Sequence, residues 1–83
     1  KERQIIMDER TLSYGEKAVG LTFNPGGSPG VDKVKTLYAE IIDHLAKHRE
    51  ETPDPEQKRL LSIAITEAQG AQMWAVKGIT WGV

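Results

Sequence analysis

Apolar residues at Val31, Val34, Leu37, Tyr38, Ile41, Ile42 and Leu45 recur at steps of three and four, which lays a broad stripe along one face of an α-helix. The flanking residues agree with that reading. Ser28 suits an N-cap, Pro29 the first turn, and Asp32 puts negative charge near the N-terminus, while His48 and Arg49 put positive charge in the last turn. The pattern predicts a helix over about 29–50.

The connection "EETPDPEQ" carries two prolines and a capping-box pattern, with Asp54 as N-cap and Gln57 three residues on. A second helix is expected over about 55–81, roughly 40 Å long at 1.5 Å per residue. The short link makes the two helices antiparallel neighbours. Ala64, Ala68, Ala71, Ala75 and Gly78 form a seam of small residues on this helix, Leu61, Ile65, Val76 and Ile79 a neighbouring stripe, and Leu60, Trp74 and Trp81 a third. One partner helix covers only part of that circumference, so the chain is expected to self-associate. The fold class is all-α: one helical-hairpin domain spanning 1–83, preceded by a short helical or loop entrance over 9–30 and assembling into a compact homo-oligomer.

Charge and composition narrow the function. Eleven basic against twelve acidic residues leave a net charge of −1, which argues against a general duplex-DNA binder while leaving room for a small anion held by local cations. The absence of cysteine excludes disulfides and thiol chemistry and suits a reducing cytoplasm. No apolar run approaches the roughly 20 residues that span a bilayer, and Lys1–Gln4 lacks the pattern of a signal peptide, so a soluble intracellular protein is expected.

Catalytic patterns are thin. Ser62, His44 and Asp43 supply the residue types of a hydrolytic triad, but no serine has a nucleophile-elbow context. His44 and His48 have the i, i+4 spacing of a metal pair, with Asp43 or Glu40 in reach, against the preferred reading of a solvated helix face ending in His and Arg. The stretch "SYGEKAVGLTFNPGGSPG" packs five glycines into eighteen positions and leads into a helix N-terminus, which is generic anion-binding equipment or simply a flexible turn. It lacks the Gly-Lys-Ser/Thr of a phosphate loop.

"LSYGEKAVGLTFNP", "VDKVKTLYAEIID" and "KRLLSIAITEAQGAQMWAVKGITW" together resemble the helical-hairpin domain of phage proteins that sequester cyclic nucleotide immune signals, a family that includes the anti-CBASS sponge and the Thoeris anti-defence sponge. The resemblance covers residues 9 to 81. It implies helical hairpins assembled into hexamers, with cyclic dinucleotides, cyclic trinucleotides or cyclic ADP-ribose isomers bound between subunits and released unmodified. It further implies that Lys35, in "KVK", pairs with ligand phosphate, with Lys33 as the near alternative, and that Arg59, in "KRLLSIA", lines a pocket for cyclic trinucleotides. At the family's N-terminal stacking aromatic this chain has Glu9, so Tyr14 or Phe23 is expected to supply the stack, and the fuller "GEKAVGLTFNP" entrance leans towards the Thoeris-type branch.

The residue types fit such a ligand, since phosphates call for cations and each base stack is worth about 1–3 kcal/mol. Lys17, Lys33, Lys35, Lys58 and Arg59 offer charge, and Tyr14 and Phe23 offer rings; Phe23 could equally plug the loop, and Trp74 and Trp81 read as core or subunit-interface residues. The entrance is read as a clasp that lays Ser13, Tyr14, Phe23 and Asn24 against a neighbouring hairpin to face the ligand. The expected function is a phage counter-defence sponge in the cytoplasm of the infected host, non-enzymatic, with no cofactor, metal, nucleic-acid polymer or membrane as partner. The alternative is a helical oligomerisation or adaptor module with no small-molecule ligand.

Overall fold

A computed structural model describes residues 11–82, so the reading of Glu9 and the start of the entrance lie outside the described residues. Three helices follow in order: α1 (Tyr14–Ala18), α2 (Pro29–Glu51) and α3 (Pro55–Ile79). The Ser28 hydroxyl accepts from the Val31 N–H to open α2, and α2 gives way to extended backbone at Thr52.

At α3 the expected capping box does not close. Asp54 Oδ1 accepts from the Glu56 N–H, but the Gln57 carboxamide oxygen accepts from the Thr52 hydroxyl, which itself accepts from the Asp54 N–H. The link thus has its own hydroxyl, and Gln57 is drawn to it. The closed box lies instead at α1, where Ser13 Oγ accepts from the Glu16 N–H and Glu16 Oε1 accepts from the Ser13 N–H. That reciprocal pair stabilises a five-residue helix too short to persist alone.

Helix α3 ends at Ile79, with Thr80 as C-cap, so Trp81 lies in the turn beyond it. Helices α2 and α3 run antiparallel, and α1 packs on α2. The core is small: Val19, Ala39, Ile42 and Ile65 cluster, flanked by Ala18, Leu21, Tyr38, Leu45, Ala46 and Ala68.

One expectation changes here. The buried positions of α2 are Val31, Lys35, Ala39 and Ile42, whereas Leu37 and Ile41 of the apolar stripe face outward. The entrance packs on its own hairpin through α1: Val19 enters the core, and the Gly15 N–H donates to Asp43 Oδ1 at 2.7 Å. The reason is local, since glycine at 15 lets α1 approach α2 at backbone distance. Trp74 and Trp81 are not core residues, being 73% and 77% exposed, and Ala71 of the small-residue seam is exposed too. A body only 12 Å across its thinnest dimension has no second layer to bury them.

Candidate functional site

The loop between α1 and α2 is shaped by three groups. Gly20 and Gly27 both take φ of +64°, the left-handed region that glycine enters without strain. The Asn24 carboxamide then ties the loop to the start of α2: its Nδ2 donates to the Ser28 carbonyl and to Asp32 Oδ1, both at 2.9 Å, and its Oδ1 accepts from the Ser28 N–H.

The third group is Lys35. Its ammonium rises from the buried face of α2 and donates to the Phe23 carbonyl at 2.6 Å and the Gly20 carbonyl at 2.9 Å, with the Phe23 ring centroid 5.6 Å away. Lys35 is only 5% exposed, and among the described residues no carboxylate forms an ion pair with it. A buried cation left without a counter-charge is costly, and neutral carbonyls offset that cost only in part. It also lies at the edge of an opening. A cleft of about 430 Å³ is lined by Phe23, Asn24, Pro25, Val31, Lys35 and Ile79, among others. The Phe23 ring is 72% exposed there.

Arg59 lines a different cleft, of about 360 Å³, with Ser62, Ile63, Thr66 and Glu67. Its guanidinium makes a bidentate pair with Glu56, at 3.0 and 2.6 Å. The charge-assisted hydrogen bonds hold the Glu56 carboxyl below the ordinary glutamate range and raise Arg59 above the ordinary arginine value.

The structure therefore sorts the sequence-derived site residues into two groups. Phe23, Asn24 and Lys35 meet at the first cleft. Tyr14 is carried by α1 toward the far end of α2, where Arg49 lies over its ring at 5.6 Å and donates to Ser62 Oγ at 3.0 Å, beside the Arg59 cleft. Ser13 is spent on capping α1, and Lys17 is exposed in its last turn. Lys33 is exposed on α2, and Lys58 donates to the Arg49 carbonyl.

Arg49 is the residue that sequence reasoning missed. A basic residue in a last helical turn looks like dipole compensation, and only the packing of α1 and α3 reveals that it joins Tyr14 to Ser62. The triad types do not assemble: Asp43 accepts from Gly15, and Ser62 Oγ is engaged by Arg49. His44 and His48 pack edge to face at 4.7 Å, and among the described residues no three metal-ligating side chains cluster.

An antiparallel α-hairpin with a capped, glycine-rich entrance and a buried unpaired cation beside an aromatic cleft defines a compact helical binding module. Residues 16–80 match the Acb2/Tad1 hairpin domain, and the chain belongs to that family. The family is one of sponge-type phage anti-defence proteins that bind cyclic nucleotides. No curated protein and no solved structure matches the chain.

Proposed function

We propose that this protein is a counter-defence sponge that captures cyclic nucleotide immune signals in the infected bacterial host and holds them without cleavage. The observation that carries this reading is Lys35: an ammonium buried without an anionic partner, at the rim of an open cleft walled by an exposed phenylalanine. An incoming phosphate supplies the missing counter-charge, and the Phe23 face offers a base a stacking surface.

Each cleft holds one cation from this chain, Lys35 in one and Arg59 in the other. Cyclic dinucleotides carry two phosphates and cyclic trinucleotides three, so complete sites need cations from further copies. The outward-facing Leu37, Ile41, Trp74 and Trp81 supply apolar surface for such an assembly. We therefore place dinucleotide-sized ligands at the Lys35 cleft and cyclic trinucleotides at the Arg59 cleft of a homo-oligomer, a hexamer by analogy with the family.

The test is capture and release. The protein, incubated with cyclic dinucleotides, cyclic trinucleotides and cyclic ADP-ribose isomers, is expected to deplete at least one class from solution and return it chemically intact on heating. A linear product would make this an enzyme, and failure to deplete any of them would remove the sponge reading.

A further inference from the structure

Three elements converge at the end of the hairpin far from Lys35. α1 brings Tyr14, the last turn of α2 brings Arg49 and the second turn of α3 brings Ser62. The Arg49 guanidinium lies 5.6 Å from the centre of the Tyr14 ring, and its Nη1 donates to Ser62 Oγ at 3.0 Å. Ser62 in turn lines the Arg59 cleft, so the Arg49 fork stands within hydrogen-bond distance of an atom of the cleft wall. Lys58 reaches the same corner, its ammonium donating to the Arg49 carbonyl at 3.0 Å.

The charges around that cleft are unequally committed. Arg59 is taken up by its bidentate pair with Glu56, and Glu67 adds a carboxylate to the lining. Two carboxylates against one guanidinium leave the lining acidic, which disfavours a phosphate. Arg49 is placed differently. Among the described residues no carboxylate forms an ion pair with it, and apart from the N–H given to Ser62 its fork has no hydrogen-bond partner. Fastening α2 to one hydroxyl needs a single donor. A half-buried guanidinium held over a ring, with the rest of its fork unspent, is equipped to take two oxygens of a phosphate.

We propose that Arg49 is the principal phosphate-binding cation of the second cleft, taking a phosphodiester of a cyclic trinucleotide ahead of Arg59, which Glu56 already occupies. The assignment rests on the cyclic-nucleotide reading above. The contact with Tyr14 fixes where the fork lies before a ligand arrives, so little side-chain freedom is lost on binding. Ser62 shares the anchor. Its oxygen accepts from Arg49, while its own proton has no acceptor among the described residues and is available to a further oxygen of the same phosphate.

The experiment is a calorimetric titration of wild type, Arg49→Gln and Arg49→Lys with cyclic tri-AMP at low and high salt, beside titrations with cyclic di-AMP and thermal melts of each protein. Arg49→Gln is expected to weaken cyclic tri-AMP binding roughly ten- to a hundredfold and to flatten its salt dependence, with cyclic di-AMP affinity kept. Arg49→Lys retains the charge without the fork, and is expected to keep the salt dependence while recovering part of the affinity. In the wild type, the Arg49 side-chain N–H signals are expected to shift in NMR spectra on addition of cyclic tri-AMP, a readout that holds even where a variant folds poorly. Unshifted signals, unchanged affinity in Arg49→Gln, or a loss that strikes both ligands alike with salt dependence intact overturns the role of Arg49 and leaves the sponge reading standing. So does a wild type that binds cyclic di-AMP but not cyclic tri-AMP. A wild type that captures no cyclic nucleotide overturns both.

Discussion

The Gly15 N–H donates to Asp43 Oδ1 at 2.7 Å, and a Cβ at position 15 would collide with the Ala39 carbonyl oxygen as well as press on that carboxylate. One glycine thereby sets how closely the entrance helix lies on α2. The position of α1 carries Val19 into the core and starts the loop whose carbonyls Lys35 binds.

Gly15→Ala is expected to force α1 off α2 and cost about 1–3 kcal/mol, as overpacking of a close contact does. For a domain of this size that is a fall of several degrees in melting temperature, about 4–8 °C per kcal/mol. A melt unchanged from wild type would show that α1 has room to shift.

Lys35→Met keeps the buried volume while leaving the Gly20 and Phe23 carbonyls without their donor. Two consequences are expected together. Amides across Gly20–Gly27 lose protection in hydrogen exchange, and affinity for the ligand held at that cleft drops roughly tenfold to more than a hundredfold, the loss of one charge-assisted contact of about 1.5–3 kcal/mol. Undiminished binding in this variant would remove Lys35 from the site.

The Glu56–Arg59 pair has a pH signature. Because the folded-state carboxyl sits below its ordinary value, its contribution is present above that value and is lost as pH falls through the lowered one. An NMR titration is expected to find the Glu56 midpoint depressed and to find it restored in Arg59→Ala. The same pair competes with any phosphate for the guanidinium, so Glu56→Gln is expected to tighten cyclic trinucleotide binding; weaker binding would mean that the pairing with Glu56 orients Arg59 for its ligand.

Trp74→Glu places a charge on an exposed apolar face without touching the core. Light scattering is expected to report a smaller assembly at micromolar concentration, with helix content by circular dichroism preserved. An unchanged mass would mean that the Trp74 face is outside the subunit contacts.

The sequence by itself determined the helices, because their signals are local: the three-four spacing of apolar residues, Ser28 and Asp54 at N-caps, and prolines that halt one helix and open the next. It also determined the antiparallel hairpin, since so short a link leaves little other choice. Tertiary structure decided what those helices bury. The apolar stripe of α2 is broader than the contact available to it, so Leu37 and Ile41 face outward while Lys35 turns inward to bind loop carbonyls brought by α1. Nothing local to Lys35 or Arg49 reports this. Periodicity places a residue on a face, but which face meets which neighbour is fixed by contacts far apart in the chain, such as Gly15 with Asp43, Arg49 with Ser62 and Gly30 with Ile79. Those contacts set Phe23, Asn24 and Lys35 at one cleft and Arg59 at another.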